Sequence, residues 1–293
     1  MKQQIRCIHC KADRYAKKGF RKTENRGKIQ KYKCLSCHKY FTNDDGFYRM
    51  RTKPSIITMS IDMYVSNLSS RKMRNQLSRH LKTKRSHVTI LAWVRKYVLR
   101  IQRFVETLKP KLSGMIYADE TEIDRGIRND IFWCAVDKDT RFIPATLYSP
   151  NSQNRKDAAA FFRKLQQHRD IYMIQTDGRP QYKHAFRSVF RHTNLKRSEW
   201  SRIGLRQINF QKTHKHNVRI ESVFSKIKDR TRDFRGFKAL WSAPILMTGL
   251  IIQHNFIETH SGIRKVPCEV AGLKVDLGID RWLGLIRFSS MNF

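Results

Sequence analysis

The sequence predicts an α/β protein in which a mixed five-stranded sheet with helices follows two small modules. Three observations support this arrangement. Two Cys-x-x-Cys pairs lie near the N terminus, apolar residues then recur at helical spacing up to about residue 110, and short apolar strands alternate with helices beyond it. Hydrophobic residues make up 40% of the 293 positions, which is enough for an ordinary core and argues against disorder as the main state.

Charge is the second strong feature of the composition. The chain has 60 Lys and Arg against 24 Asp and Glu, a formal net charge of +36, so a polyanion such as nucleic acid is the expected partner. Residues 111–150 reverse the balance, with 5 basic and 7 acidic side chains. A local acidic excess in so basic a protein indicates a cation site beside a phosphate-binding surface. A nucleic-acid binder without chemistry is the alternative.

Targeting and redox signals are weak. The N-terminal residues lack an apolar stretch of the length that a secretory signal needs. The longest largely apolar run, residues 239–258, contains Pro244 and His254 and is more typical of a buried helix than of a membrane span. Six cysteines, four of them grouped, favour metal binding over a disulfide framework. We therefore expect a cytoplasmic protein, associated with a prokaryotic nucleoid and not with a membrane.

Residues 1–50 have the pattern of a zinc ribbon. Two Cys-x-x-Cys pairs separated by 23 residues provide four thiolates for tetrahedral Zn²⁺, which would supply the folding energy that so short a segment lacks. A redox role is the weaker alternative, because no βαβ pattern surrounds the pairs. We expect His9 and His38 to be bystanders, since four cysteines complete the site. The predicted zinc ligands are Cys7, Cys10, Cys34 and Cys37.

Residues 51–110 predict three helices in the order of a helix-turn-helix domain. Pro54 opens the first helix, Ser69 or Ser70 caps the second, and Ser86 caps the third. The third helix would be the DNA reader, given its basic surroundings and the neighbouring zinc ribbon. A plain helical linker bundle is the alternative. The side chains expected to contact DNA here are Arg85, Arg95 and Lys96.

Residues 111–260 switch to the pattern of an α/β domain. Apolar strands are predicted at 115–119, 131–137, 142–148 and 171–174, with a short fifth strand at Ile208 and Phe210, and helices are predicted at 157–167, 182–190 and 217–234. Three strands, helix, strand, helix, strand and helix is the order of a ribonuclease H-like fold. Residues 261–293 are predicted to be a tail that packs through Trp282 and Leu285.

Three carboxylates stand where such a fold can bring them together. Asp119 and Asp177 each end an apolar strand, and Glu221 lies near the start of the last predicted helix. Three carboxylates around one point bind Mg²⁺ or Mn²⁺, and two such ions can stabilise the attacking and leaving oxygens of a phosphoryl displacement. Asp124 and Asp137 compete for places in this set, and the Asp-Gly pair at 177–178 is also an ordinary turn sequence.

Several short motifs occur in order between residues 118 and 260. They are Asp119-Glu120-Thr121, Trp133-x-Ala135-Val136-Asp137, Arg155-Lys156-Asp157-Ala158-Ala159, Thr176-Asp177-Gly178, Asn217-x-x-x-Glu221, Lys228 with Arg230-Thr231-Arg232, and Arg235-Gly236-Phe237-Lys238. This stretch, about half of the chain, resembles the catalytic core of DDE-type insertion-sequence transposases, closest to insertion-sequence family six. The helix-turn-helix resembles that of the same family, and the zinc ribbon resembles those of several insertion-sequence transposases. The resemblance implies that the metal ligands are Asp119, Asp177 and Glu221.

The spacing before the third acid departs from the family. Between Asp177 and Glu221 lie 43 residues, more than is usual for the family, and we assign the surplus to the basic stretch at 191–206. Glu199, the other acid in this interval, lacks the Asn and Lys partners that accompany Glu221.

The last predicted helix also brings basic side chains to the site. Asn217, Glu221 and Lys228 are separated by four and seven residues and therefore share one helix face. Lys228 would contact a DNA phosphate beside the metal ions, whereas a solvated basic face is the alternative. The other basic side chains expected to face DNA phosphates are Arg219, Lys226, Arg230 and Arg232.

We therefore predict a DNA transposase that binds the terminal inverted repeats of its element. Two Mg²⁺ or Mn²⁺ ions would activate water for nicking, and the freed 3′-hydroxyl would attack target DNA without a covalent protein–DNA intermediate. The partners would be double-stranded DNA of the element ends and the target, together with at least one further copy of the chain. Two alternatives stay open: a DNA-binding regulator with a relic core, and a ribonuclease H-like nuclease without strand transfer.

Overall fold

The chain divides into two compact units in the computed structural model, which describes residues 5–43, 45–126, 128–150, 155–191, 203–208, 218–232, 237 and 239–291. The terminal unit combines Met1–Thr107 with Val275–Phe293, so it contains both ends of the chain, and the central unit is Leu108–Lys274. Among the described residues, no helix is both long and apolar enough to cross a membrane.

The terminal unit begins with a small antiparallel sheet. Its strands, hydrogen-bonded in chain order, are β1 (Tyr15–Thr23), β2 (Gly27–Cys34) and β3 (Tyr40–Thr42). Tyr32 and Phe41 stack with ring centroids 5.4 Å apart, and Tyr15 meets Tyr32 edge-on. These rings pack with Cys7 and Cys34 in one small cluster. A core of this size is too small to stabilise the sheet by itself and needs an additional cross-link such as a bound metal ion.

Three helices follow where the sequence predicts them. They are α1 (Pro54–Val65), α2 (Ser70–Leu81) and α3 (His87–Val105). Ser69 and Ser86 cap α2 and α3, because their hydroxyl oxygens accept hydrogen bonds from the backbone N–H groups of Lys72 and Thr89. Lys82 ends α2 in the left-handed conformation, with φ of 50°. The predicted cap Ser86 of α3 is thereby confirmed, and of the two candidates for α2, Ser69 is the cap while Ser70 is the first residue of the helix.

The central unit is built on a mixed sheet made of β4 (Met115–Asp124), β5 (Asn129–Asp137), β6 (Ala145–Ser149), β7 (Met173–Asp177) and β8 (Gly204–Ile208). Its helices are α4 (Arg155–Gln166), α5 (Pro180–Phe190) and α6 (Val218–Arg232). The strand order is β6-β5-β4-β7-β8, with β4, β5 and β6 antiparallel and with β4, β7 and β8 parallel. This order of strands and helices confirms the predicted α/β fold with a ribonuclease H-like core.

All five predicted strands differ in their bounds. β4 continues to Asp124, so the prediction that Asp119 ends its strand was wrong. β5 begins at Asn129 and not at 131, and β7 covers Met173–Asp177 and not 171–174.

The third strand begins at Ala145 and not at 142, because residues 138–144 form a turn around the buried carboxylate of Asp137. That carboxylate accepts hydrogen bonds from the backbone N–H and the hydroxyl of Thr140, at 3.0 and 2.8 Å. The fifth strand ends at Ile208, and Phe210 lies outside the described residues.

The predicted buried helix at 239–258 is present as two pieces. α7 (Ser242–Ile252) continues into a π-helical turn (Gln253–Ile257), and a short α8 (Pro267–Val270) follows. Asn255 holds the backbone of Ile143 through two hydrogen bonds of 2.9 Å each, one donated by the side-chain amide and one accepted by its oxygen. This pair of bonds fixes the π-helical turn to the segment that leads into β6.

The C-terminal helix α9 (Arg281–Met291) belongs to the terminal unit. Trp282 and Leu285 are buried, as the sequence predicts, and Trp282 donates a hydrogen bond from Nε1 to Asp62 Oδ1 at 2.8 Å. Phe288 stacks on Phe104 of α3, with ring centroids 6.1 Å apart. The three predicted helices therefore pack with a fourth that is distant from them in the chain.

Candidate active site

Two parallel strands bring the first two acids to one face of the central sheet. β4 and β7 pair with Tyr117 opposite Gln175. Asp119 and Asp177 each lie two residues beyond this pair, and because side chains alternate along a strand, both carboxylates lie on the same face. β7 ends at Asp177, so this acid stands at the open end of its strand.

The third acid comes from α6, which packs against β4 and β5 and carries Glu221 in its first turn. Asp177 and Glu221 both act electrostatically on Asp119, although the carboxylate oxygens of the three acids do not all lie within 4.8 Å of one another. A cleft of about 800 Å³ opens beside β4 and α6. The side chains that line it include Asp119, Thr121, Asp124, Glu221, Lys228 and Arg232.

The electrostatics of this cleft favour a cation. Burial, assisted by the charges of Asp177 and Glu221, raises the pKa of Asp119 to about 6, although the backbone N–H of Glu120 and the charge of Arg179 act in the opposite direction. A cation that binds beside Asp119 would stabilise the charged form of this largely buried carboxylate and offset its repulsion by the other two acids. The donors are oxygen atoms, which are the ligands that Mg²⁺ and Mn²⁺ prefer, so these residues fit the predicted ions.

Lys228 lies on the same cleft as Glu221, two turns further along α6, and its side chain is exposed. An ammonium group there can meet a phosphate without displacing the carboxylates. Asn217, which the sequence places on the same helix face, lies outside the described residues.

The two competing acids occupy different surroundings. Asp137 is fully buried, and its carboxylate holds the turn before β6 through Thr140 at one oxygen and the segment before β4 through Ser113 at the other. Asp124 lies at the far end of β4 and accepts a bond from the backbone N–H of Gly126 at 2.6 Å. Both carboxylates are thus engaged in turns, which favours a structural role for Asp137 and a position at the edge of the cleft for Asp124.

The basic face of α6 differs in part from the prediction. Arg232 is exposed and pairs with Asp229, and Arg219 donates a hydrogen bond to the carbonyl oxygen of Lys138 at 2.6 Å. Arg230 is 5% exposed, so the expectation of an outward side chain there was wrong. The reason is helical spacing, because the buried face of α6 recurs every three or four residues. This face comprises Ile220, Val223, Ile227 and Arg230.

A buried acid beside the site was not predicted. The side chain of Glu120 is 2% exposed, and it accepts hydrogen bonds from the guanidinium of Arg179 and the hydroxyl of Tyr182. Arg179 also contacts Asp177 Oδ2 through Nε at 3.1 Å. The guanidinium of Arg179 therefore links Asp177, the second candidate ligand, to Glu120, which follows Asp119 in the chain. The alternation of side chains along a strand predicts that Glu120 and Asp119 point to opposite faces of the sheet. No spacing in the sequence indicates that Glu120 contacts Arg179 and Tyr182.

In the terminal unit, the four paired cysteines converge. Their sulfur atoms all lie within 4.8 Å of one another, and no other such group of His, Cys, Asp or Glu occurs among the described residues. The backbone N–H of Cys37 lowers the pKa of Cys34 to about 6, and the N–H of Ser36 adds to this effect. Four sulfur donors in a compact set fit a tetrahedral Zn²⁺. His9 and His38 are outside the set. The four residues are Cys7, Cys10, Cys34 and Cys37.

The basic side chains predicted to contact DNA through α3 take two positions. Arg95 and Lys96 are exposed on the helix, with Lys96 Nζ 5.2 Å from the ring centroid of Tyr97. Arg85, just before the helix, is half-buried and donates a hydrogen bond to the carbonyl oxygen of Arg51 at 2.7 Å. Arg95 and Lys96 can therefore reach a DNA backbone as placed, whereas Arg85 would have to leave its carbonyl partner.

Comparison with known proteins adds a family and several remote structures. Residues 115–260, about half of the chain, match the family model of a DDE domain of the IS240 transposase type. No curated protein matches the chain. Among solved structures, the catalytic core domain of BIV integrase is 14% identical, with a TM-score of 0.38 over 54% of this chain and 93% of that one.

Two further solved structures are similarly distant. The simian T-cell lymphotropic virus intasome in complex with PP2A regulatory subunit B56 gamma is 13% identical, with a TM-score of 0.40 over 73% of this chain and 72% of that one. The HTLV-2 integrase catalytic core domain in complex with magnesium is 11% identical, with a TM-score of 0.35 over 56% and 99%. All three TM-scores are low, so the assignment depends on the domain match. The chain contains a DDE domain of the transposase type and is a DDE transposase, an enzyme that acts on DNA.

Proposed function

We propose that the protein binds the terminal inverted repeats of its own insertion element, nicks the DNA there and transfers the freed 3′ ends to target DNA. The observation that carries this proposal is that Asp119, Glu221 and Lys228 line one cleft, while the charge of Asp177 on the neighbouring strand acts on Asp119. The order of the sequence motifs supports membership of insertion-sequence family six.

The three acids would hold two Mg²⁺ or Mn²⁺ ions. When bound, two such ions stabilise the attacking and the leaving oxygen of an in-line phosphoryl displacement. Because its pKa is raised to about 6, Asp119 is mostly ionised at neutral pH but takes up a proton more readily than an exposed aspartate. Its cation affinity should therefore fall as the pH drops through about 6.

The remaining work of the chain is to place DNA. Lys228 would hold a phosphate next to the carboxylates by charge alone, since it lies on the same cleft. Water and then the 3′-hydroxyl of the nicked strand are the nucleophiles. No side chain has to form a covalent bond with DNA, so the reaction requires no nucleophilic serine or tyrosine.

The terminal unit would supply recognition. One Zn²⁺ held by the four cysteines would stabilise the three-stranded sheet, as the small aromatic core requires. α3, with Arg95 and Lys96 exposed, would lie against the terminal repeat. Two element ends have to be processed together, so the active form would contain at least two copies of the chain.

Two alternatives make different demands on the molecule. A DNA-binding regulator with a relic core has no use for a largely buried carboxylate at Asp119, where burial and repulsion by Asp177 and Glu221 cost stability. A ribonuclease H-like nuclease has no use for a separate basic unit with helix caps in helix-turn-helix order. The regulator would not need the acids of the central unit, and the nuclease would not need the terminal unit.

An assay with the full-length, zinc-loaded protein tests the proposal. Labelled duplexes from both flanks of the gene are incubated with a plasmid target and Mg²⁺, and the products are resolved on denaturing gels. We expect nicked ends and ends joined to the plasmid for the wild type, and DNA binding without products for Asp119→Asn. Binding without products for both proteins would indicate the regulator, and cleavage of RNA–DNA hybrids alone would indicate the nuclease.

A further inference from the structure

One surface of the terminal unit belongs neither to the cysteine cluster nor to the DNA-reading helix α3. It is the outer side of the β1–β2 ribbon (residues 15–34), where five side chains of the edge strand β1 are exposed. Phe20 is 62% exposed, although a phenylalanine on a small sheet could contribute to its core. The other four are Lys17, Lys18, Arg21 and Lys22.

The charge of this ribbon is strongly one-sided. Residues 15–34 contain 8 basic side chains and 1 acidic one. Arg26 is engaged, because it pairs with Asp45 at 3.0 Å and donates to the carbonyl oxygen of Phe47. Within the part of the chain that the structure describes, the four cations on β1 pair with no carboxylate. Their charge therefore faces solvent and attracts a polyanion.

Lysines also lie against the exposed aromatic rings of this sheet. Lys28 Nζ is 5.5 Å from the ring centroid of Phe20, and Lys31 Nζ is 4.2 Å from that of Tyr40, which is 52% exposed. Exposed rings interleaved with lysines are typical of surfaces that bind a nucleic-acid strand. A protein partner that adds a strand is disfavoured, because β1 is bulged between Lys17 and Phe20, and Gly19 there has a φ of 67°.

We propose that the β1–β2 ribbon is a second DNA-contacting element, which binds the phosphate backbone of duplex DNA in addition to the contacts of α3. This inference rests on the proposed function. A two-stranded ribbon fits the major groove of a duplex, and cations on its edge contact phosphates whatever the sequence. The ribbon would therefore add affinity and salt dependence but no sequence preference.

The test measures DNA affinity of the full-length, zinc-loaded protein against salt concentration. One variant carries Lys17→Gln, Lys18→Gln, Arg21→Gln and Lys22→Gln. A matched control removes four exposed cations from the central unit by Lys111→Gln, Arg264→Gln, Lys265→Gln and Lys274→Gln. Each lost phosphate contact lowers the slope of log K against log salt by about 0.9, so the ribbon variant should lose about 2 to 4 of slope and the control less than about 1. The preference for terminal-repeat over random duplex should be unchanged.

The other outcomes separate the competing explanations. Equal slopes for wild type and ribbon variant, with one Zn²⁺ per chain in both, would overturn the ribbon proposal while leaving the proposed function intact. An unchanged slope on duplex DNA with a loss on single strands of the same length would overturn the choice of duplex as the occupant. Absence of duplex binding by the wild type would overturn the proposed function together with the ribbon. Phe20→Leu, which keeps an apolar side chain, should leave the slope unchanged.

Discussion

The two units of the molecule contrast in how their working residues are gathered. In the central unit, the three candidate acids are separated by 58 and 44 residues in the chain and lie on three different elements, β4, β7 and α6. In the terminal unit, the four cysteines come from two short pairs, and the cations point outward and apart. The central site therefore depends on the whole sheet, and its charges oppose its stability. The fold of the terminal unit depends on the four cysteines, and its exposed charges lower its stability only slightly.

This contrast predicts different consequences of single changes. A lost charge in the central cleft should remove chemistry and spare the fold, because the sheet positions the site and not the reverse. A lost staple in the terminal unit should remove fold first and binding as a consequence.

The largest effect is expected at the third acid. Glu221→Gln keeps the size of the side chain but removes a charge that the cations need. Strand transfer should fall by several orders of magnitude, since metal-assisted stabilisation of a phosphoryl transition state is worth several kcal/mol. DNA binding should stay level or rise, because a negative charge leaves a phosphate-facing cleft. The matched control is Glu199→Gln, which should transpose almost normally. If Glu221→Gln transposes normally and Glu199→Gln does not, the third ligand is Glu199 and not Glu221.

The next effect concerns the cysteine staple. Cys34→Ser should lose about one Zn²⁺ per chain in elemental analysis and unfold the sheet of β1 to β3, because coordination supplies the folding energy of so small a core. Cys268→Ser, at a buried cysteine of the central unit, is the control and should keep the metal. Full zinc content with normal end binding in Cys34→Ser would show that the four cysteines are not the staple.

A third change tests whether α9 is part of the terminal unit. Trp282→Ala removes a buried ring and its hydrogen bond to Asp62, so the unfolding free energy of the terminal unit should fall by about 3 to 5 kcal/mol. Trp241→Ala removes a ring that is 42% exposed and should cost less. Denaturant unfolding measures both.

A fragment that ends at residue 110 lacks α9, so it should bind DNA weakly. Full end binding by that fragment would refute the role of α9.

The smallest effect is a dependence of stability on pH. The pKa of Asp119 is raised to about 6 in the fold, from an ordinary value of 3.8, so the folded protein binds more protons than the unfolded chain between these values. In magnesium-free buffer the unfolding free energy should therefore fall as the pH rises from about 4 to 6. Asp119→Asn abolishes this loss and should be more stable than the wild type at pH 7, by up to about 3 kcal/mol. Denaturant titrations that follow the unfolding of the central unit in both proteins, at pH 4 and pH 7, measure the difference. An equal pH dependence in the two proteins would contradict the burial of Asp119.

Much of the fold follows from local patterns. The caps at Ser69 and Ser86, the order of strands and helices and the paired cysteines are all visible in short stretches of sequence. The burial of Arg230 was also visible, since it continues the apolar spacing of α6, but the basic character of the residue outweighed that pattern in the prediction.

Other features could not be predicted, because they join residues far apart in the chain. The contact of Trp282 with Asp62 spans 220 residues, and nothing in either segment indicates the other. The contacts of Glu120 with Arg179 and Tyr182 depend on how α5 lies across the sheet. Local spacing predicts which face a side chain occupies, and only the assembled sheet decides what it meets there.

The most direct test of the central claim is a count of Mn²⁺ ions bound by the full-length, zinc-loaded protein in complex with a duplex element end, measured by electron paramagnetic resonance titration. We expect about two weakly exchangeable ions per active site in the wild type. We expect none at the same concentrations when Asp119→Asn, Asp177→Asn and Glu221→Gln are combined, with DNA binding retained. Equal Mn²⁺ binding by the triple variant and the wild type would contradict the claim that these three carboxylates hold the catalytic cations.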